Sequence, residues 1–523
     1  MLATNTIINN ADRLRDCLLD LETPLRAVQT PGGVDIICHG EAVQEDQEGL
    51  AWVPSVTIGQ FGDPGFLRDY GVRAAYYAGA MANAIASTQM VIALGKAGLM
   101  GAYGAGGVSP QRIEEAIQEI QAALPNGPYA FNLLHSPFEP QIEQATVELY
   151  LRYGVRVVEA AAFIRLSESL VQYRAAGLSQ DADGGVIIQN HIIAKLSRTE
   201  VATQFMQPAP EKILDSLLAA GRITAEQAQL ARLVPVADDI TVEADSGGHT
   251  DQRPLVCLLP TMLALRDEIQ TRHKYAHPPR VGVGGGIGTP EAVLAAYMMG
   301  AAYVVTGSIN HASVEAGTST HTKQLLASAA MTDVTMAPSA DMFEMGGRVQ
   351  VLKKGTLFAM RAQKLYEIYS SYATVEDIPA QERESLEKKI FQRTLEAVWA
   401  DTEKFFEARD PAQLEKARQN PKIKMALIFR WYLGLASRWS CTGETGREMD
   451  YQIWCGPVMG TFNDWVRGTY LEPIENRHAA DMALHLLRGC AYRYRLQSLR
   501  VQGIQLPSAL DVYRPGSPLI VNE

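Results

Sequence analysis

Arg280-Val-Gly-Val-Gly-Gly-Gly-Ile-Gly-Thr-Pro-Glu291 is followed, after one amphipathic stretch, by Ala302-Tyr-Val-Val-Thr-Gly-Ser308. Each segment is a short β-branched run that ends in glycine. In the first, Thr289 can cap a helix and Pro290 suits its first position. Two strand–turn–helix units in succession belong to an alternating α/β chain. Gly284, Gly285 and Gly286 let the backbone approach a ligand closely, and Gly307 with Ser308 offers a second turn. At the mouth of a (β/α)8 barrel, such turns after strands 7 and 8 present backbone N–H groups and a helix N-terminus to phosphate. The plainer alternative is a pair of tight βα turns with no ligand. A dinucleotide fingerprint is not met: counting G-x-G-x-x-G from Gly282 or Gly284 places Ile287 or Thr289 at the sixth position.

Outward from these segments, the alternation holds over about 260 residues, the usual size of a (β/α)8 barrel. Earlier strands are expected at Tyr76–Gly79, Leu99–Gly101, Tyr129–Leu134, Val155–Glu159, His191–Ser197 and Ile240–Ala244, and the last two at Arg280–Val283 and Tyr303–Thr306. Ser109 and Pro110 open one intervening helix, whose Ile113, Ile117, Ile120 and Leu124 share a face; Gly154 stops another. Tyr173–Ser179 and Val186–Gln189 read as a hairpin around Asp-Ala-Asp-Gly-Gly, and a helical insertion is expected near 208–234. The predicted fold is α/β, a TIM barrel over 56–330 with an N-terminal extension over 1–55. A doubly wound open sheet is the alternative, and the count of eight favours the barrel. Residues 331–523 read as a mainly α-helical substrate or lid domain. There Gln381–Arg409 carries one helical stripe, Lys422–Ser437 and His478–Leu499 also look helical, and Trp431, Trp439, Trp454 and Trp465 fill a core or face the barrel mouth.

The 523-residue chain is 47% apolar and 20% charged, with a formal net charge of −11. This composition suits a globular protein and gives no sign of a nucleic-acid-binding face. The most apolar stretch, Ala78–Leu94, contains Asn83, Ser87, Thr88 and Gln89 and is too polar for a membrane span. No secretory signal is legible. The six cysteines show neither a zinc pattern nor a disulfide framework, so reduced thiols and a cytoplasmic location are expected, and no metal site is read.

Val242-Glu-Ala-Asp-Ser-Gly-Gly-His249 places His249 just past strand 6, on the catalytic face of a barrel. An imidazole there can hydrogen-bond a carbonyl or give a proton. The alternative is a solvent-exposed loop histidine. Ser-Gly-Gly-His after strand 6, Gly-Gly-Gly-Ile after strand 7 and Thr-Gly-Ser after strand 8 together resemble the nitronate monooxygenase-like superfamily of FMN barrels. Five further segments resemble one branch of it, the trans-acting enoyl reductases (PfaD family) of polyunsaturated fatty acid synthases and trans-acyltransferase polyketide synthases. They are Tyr76-Tyr-Ala-Gly-Ala-Met-Ala-Asn83, Gly104-Ala-Gly-Gly107, Phe131-Asn-Leu-Leu-His-Ser-Pro137, Ala194-Lys-Leu-Ser-Arg-Thr-Glu-Val-Ala202 and Met345-Gly-Gly-Arg-Val-Gln-Val-Leu-Lys-Lys-Gly355.

The resemblance implies bound FMN, NADPH as co-substrate and a 2,3-enoyl thioester on an acyl carrier protein as substrate. It implies that Gly79, Ala80 and Met81 lie against the flavin ring, that Asn132 hydrogen-bonds it, and that Lys195 supplies a cation at its N1/C2 edge. Gly247, Gly248 and His249 would border flavin and substrate, with His249 and Lys195 as candidate catalytic groups. Gly284, Gly285, Gly286, Gly307 and Ser308 would hold the phosphate. Arg348, Lys353 and Lys354, or Lys422 and Lys424, could attract an acidic carrier. The reading allows a homodimer and gives no nucleic-acid or membrane partner. A nitronate monooxygenase and a non-catalytic flavin-binding component of the synthase are the rival readings.

Overall fold

The computed structural model describes residues 10–30, 33–38, 49–137 and 139–520. Eight parallel strands close a barrel: β1 (Tyr76–Ala78), β2 (Met100–Tyr103), β3 (Ala130–Leu134), β4 (Val157–Ala161), β5 (His191–Leu196), β6 (Asp239–Glu243), β7 (Arg280–Gly284) and β8 (Val304–Thr306). β8 returns to β1 with Val304 opposite Tyr76, which completes the ring. The strands are almost wholly buried, as parallel strands covered by helices must be. The expected strand positions are therefore found within a few residues. Side chains of Ser87, Ser109, Ser167 and Thr289 cap the helices that follow, and Gly154 ends one in the left-handed conformation.

Buried charge fixes strand ends opposite the mouth. The Arg280 guanidinium donates to both Asp239 oxygens at 2.7 and 2.8 Å, and the Tyr70 hydroxyl donates to the same carboxylate at 2.5 Å. Arg174 pairs with Asp238 at 2.8 Å.

Beyond the barrel, the structure departs from the expectations in instructive ways. The N-terminal residues form a helix, Ala11–Leu19, and a three-stranded antiparallel sheet. Cys17 and Cys38, which were expected to be reduced, are joined in a disulfide; the helix and the strand Gly33–Ile37 bring their Cα atoms to 5.8 Å. Nothing in a 21-residue spacing announces that approach. The hairpin strand begins at Leu178, because residues up to Ala176 stay helical. The insertion is two helices, Glu211–Ala219 and Ala225–Ala231.

The region after residue 330, expected to be mainly α-helical, opens with two strands before its helices. Val334–Pro338 and Arg348–Leu352 pair antiparallel, and the short strand Gly248–His249 joins them as a third. Helices follow, the longest being Pro421–Thr442 and Ala479–Val501. The last one packs on the barrel helix Pro290–Met298 so closely that a Cβ on Gly489 would meet Pro290 Cγ at 2.5 Å. The stripe read over Gln381–Arg409 is broken: a π-helical turn at Glu387–Phe391 ends with Gln392 left-handed, and Thr394 caps a new helix. Among the described residues no helix is long and apolar enough to cross a membrane.

Candidate active site

The glycine turns after β7 and β8 follow neighbouring strands, with Gly284 opposite Val305. Gly285 and Gly286 have φ of +89° and +75°, which glycine adopts without strain. A Cβ on Gly285 would lie 2.8 Å from the carbonyl carbon and oxygen of Ala244, so this turn admits no side chain. Nothing lies within 4 Å of a Cβ built on Gly286 or Gly307, so open space faces both turns. The backbone N–H groups of Gly285, Gly286, Gly307 and Ser308 have no acceptor among the described residues. Free backbone N–H groups at glycine turns are the kind of donor that can bind an anion. The Ser308 hydroxyl accepts from Gly456 N at 2.9 Å and keeps its own hydrogen to donate. Gly284 is different: a Cβ there would make only ordinary contacts, the nearest at 3.4 Å.

Lys195, at the end of β5, reaches into a pair of carboxylates. Its Nζ is 3.3 Å from Glu243 Oε1 and 3.8 Å from Glu159 Oε1. Burial alone would lower its pKa; the two carboxylates outweigh that and hold the ammonium well above its ordinary value. Lys195 is thus a fixed cation, better suited to electrostatic work than to giving up a proton. Glu159 is fully buried, which pushes its carboxyl up against the opposing pull of Lys195 and of the Ala80 N–H. Sequence reasoning missed Glu159. A carboxylate inside the otherwise apolar run Val157-Val-Glu-Ala-Ala161 was the available signal.

Glu159 also organises its neighbours. Ala80 N donates to its Oε2 at 3.1 Å, and the Asn132 side chain donates to its carbonyl at 3.1 Å. Asn132 is therefore buried and partly committed to β4, with its remaining amide capacity left for a ligand. Gly79 donates to Thr306 O at 2.9 Å, and a Cβ on it would press on Val305 at 3.1 Å. Ala80 and Met81 are half-buried at the mouth. The loop over 104–107 supports them, since a Cβ on Gly104 would fall 1.7 Å from Met81 O.

His249 stands on the third strand of the post-barrel sheet, with Gly248 opposite Gln350 and His249 opposite Val349. Its Nε2 lies 3.0 Å from Asp341 Oδ2. Burial would lower the imidazole pKa, but Asp341 and Glu243 outweigh burial and Lys195, and the net direction is upward. Asp341 was not singled out from sequence, because it lies 92 residues from its partner. Gly247 was expected to border flavin and substrate. Its neighbour is protein: a Cβ there would meet Cys455 N at 2.8 Å and Gly456 N at 2.9 Å. Trp454 caps the same loop, and its carbonyl is 3.1 Å from Nδ1 of the buried His311. Burial depresses the His311 imidazole to about 4, so it is neutral.

The mouth thus combines glycine turns with free N–H groups, a fixed cation and an imidazole whose pKa is raised. The crystal structure of the enoyl reductase domain of MlnA, from the macrolactin biosynthesis cluster of Bacillus amyloliquefaciens, matches with a TM-score of 0.81 at 41% identity. The match covers 85% of this chain and 100% of that one. The chain belongs to this family of enoyl reductases. A polyunsaturated fatty acid synthase component from a Thraustochytrium species is 48% identical over 520 residues, which is 98% of this chain and 34% of that protein. Polyketide biosynthesis protein PksE of Bacillus subtilis is 45% identical over 454 residues, 87% of this chain and 58% of that protein. The chain therefore spans about a third to somewhat over half of these two relatives. FabK from Thermotoga maritima shares the fold at 17% identity or less: its M276A variant gives a TM-score of 0.50 at 15% identity over 84% of this chain and 98% of that one. Residues 372–451 match the inserted helical domain of acyl-carrier-protein S-malonyltransferase. That stretch includes Ser437, whose Oγ accepts from the Asn83 side chain at 2.9 Å and so fastens the helical region to the loop after β1.

Proposed function

We propose that the chain is an FMN-dependent, NADPH-using reductase of 2,3-enoyl thioesters carried by an acyl carrier protein. The observation that carries this reading is the set of four free N–H groups in the turns after β7 and β8, on the barrel face that also carries Lys195 at the end of β5 and the His249 loop after β6. These donors suit the single phosphate of FMN, and the missing dinucleotide fingerprint speaks against a larger cofactor. Bound FMN would supply the chemistry of hydride transfer from NADPH to the β-carbon of the enoyl group.

The chain's own residues do the rest. Gly285, Gly286, Gly307 and Ser308 bind the phosphate. Lys195, held by Glu159 and Glu243, sets a positive charge at the mouth. Reduction builds negative charge on the thioester oxygen, which needs a placed donor. His249 Nδ1 has no partner among the described residues and is the donor at hand. His249→Ala should keep FMN and slow crotonyl reduction by about 10²-fold, the usual effect of losing one such donor. NADPH oxidation by the bound flavin should change much less. Anaerobic stopped-flow separates the two steps. Wild-type rates in both would remove His249 from the reading. The direct test of function is mass spectrometry of crotonyl-carrier protein after incubation with enzyme and NADPH; an unreduced acyl group overturns it.

A further inference from the structure

The barrel does not complete its own site. The loop after β6 ends in Gly248–His249, which finds its strand partner only in Arg348–Leu352. Gln350 on that strand is buried and clamps the loop: its Nε2 donates to Asp245 Oδ1 at 2.7 Å and to Ser246 O at 2.8 Å. Its Oε1 accepts from Gln252 at 2.8 Å. The turn between the two post-barrel strands then delivers Asp341 to the imidazole. Both carboxylate oxygens are within 3.2 Å of His249 Nε2, whose side chain remains 37% exposed. Solvent can therefore return a proton to the ring.

We propose that Asp341 is a positioning residue for enoyl reduction: its carboxylate holds His249 as an imidazolium at Nε2 and leaves Nδ1–H to serve the substrate. This rests on the reading of His249 given above. In the step, hydride adds to the β-carbon and the C=C electron pair moves to the α-carbon and thioester oxygen. The Nδ1–H first hydrogen-bonds the oxygen on which charge builds, and its N–H bond then breaks as the α-carbon–hydrogen bond forms. The ring is left neutral, with Nε2–H still on Asp341, and solvent reprotonates Nδ1. Three charged groups bear on the imidazole: Asp341 from the post-barrel turn, Glu243 from the end of β6 and Lys195 from the end of β5. The first two favour the cation and Lys195 opposes it. Activity that depends on the imidazolium is retained at low pH and falls as pH rises through the raised pKa of His249.

The test compares wild type, Asp341→Asn and Asp341→Glu in two readouts. One is the pH profile of crotonyl-carrier protein reduction. The other is the NMR titration of His249, assigned with a His249→Gln variant, which needs no turnover. In Asp341→Asn the His249 titration and the alkaline limb should both move to lower pH, with roughly tenfold or greater loss of rate at a fixed pH on that limb. Asp341→Glu should restore both. An unchanged His249 titration in Asp341→Asn overturns the proposal. A displaced titration with an unmoved pH profile also overturns it, because the pair then exists but does not serve the reaction. If wild type reduces no crotonyl thioester, the functional reading fails, and the NMR arm still decides the pair.

Discussion

The backbones of Gly247 and Gly456 touch: a Cβ on Gly247 would lie 2.9 Å from Gly456 N, and a Cβ on Gly456 would lie 2.8 Å from Gly247 N. Neither neighbour is a flexible side-chain tip that could swing aside. Gly456→Ala should therefore force apart the loop that carries His249 and the segment that roofs it. A cost of about 1–3 kcal/mol is expected from such overpacking. Turnover should drop as well, because a shift of about 1 Å at a catalytic group can cost on the order of 10²-fold. Gly434→Ala is the control. Gly434 is exposed within the helix Pro421–Thr442, with nothing within 4 Å of its Cβ. That change should stabilise by roughly 0.5–1 kcal/mol. Thermal denaturation of both variants, with turnover, checks the pair.

Gly285→Ala should release the flavin. The new methyl must occupy space held by the Ala244 carbonyl, at a φ of +89°. The left-handed backbone alone costs roughly 1–2 kcal/mol for a residue with a Cβ. The turn will relax by moving its N–H groups, which are the phosphate ligands. Purified wild type should be yellow and give FMN on denaturation; the variant should be colourless and resist reconstitution. A variant that retains stoichiometric FMN would show that the phosphate sits elsewhere.

The barrel was legible in the sequence because its strands are short buried runs followed by helices with clear start and stop signals, a pattern local to a few residues. The glycine turns after β7 and β8 were legible for the same reason. Two of the groups that tune the site were not. Glu159 and Asp341 matter through what they touch, Lys195 and His249, at separations that no local pattern reports. The Gly247 requirement likewise comes from Gly456, 209 residues later by subtraction of the two positions. The strand Arg348–Leu352 could have been read: Val349 and Val351 alternate with Arg348 and Gln350 at period two. Its three-stranded sheet could not, since the third strand comes from the barrel.

Asp238→Asn should be strongly destabilising. Its carboxylate accepts from Arg174 at 2.8 Å and from Ile192 N at 2.9 Å, and Arg174 is almost fully buried. Removing one partner of such a pair strands a buried cation, at about 3–5 kcal/mol. Burial alone would raise the Asp238 carboxyl, but Arg174 and His191 outweigh it and hold it well below the usual carboxylate range. Because the folded pKa is depressed, this stabilisation is fully present above about pH 4 and fades only as pH falls toward the folded value. Denaturant melts should show a constant gap between wild type and variant from pH 5 to 8. A gap that closes within that window would contradict the assignment.

Carrier-bound enoyl groups should be reduced far more efficiently than the same groups as free short-chain thioesters. FMN chemistry alone does not require the region after the barrel. Its strand Arg348–Leu352 touches the His249 loop at one end, and Lys353 lies just past the other, about 13 Å along at 3.3 Å per residue. Of the lysines considered as a docking patch, three are already engaged. Lys422 donates to Tyr369 O and Tyr372 O, Lys424 pairs with Glu376 at 3.4 Å, and Lys354 lies between Ser328 O and Asp333. Lys353 is exposed, and its ammonium has no partner among the described residues. Lys353→Glu should therefore weaken turnover of carrier-bound substrate and spare the free thioester. Lys424→Glu should instead lower stability by losing its pair, within the 0.2–1 kcal/mol or so typical of exposed ion pairs. Remote binding energy of this kind positions the reacting carbon, so kcat/KM for the carrier-bound substrate should carry the effect. It should also fall between low salt and 0.15 M, where screening acts over about 8 Å. Equal efficiency on both substrates, with no salt dependence, would assign the post-barrel surface to stability alone.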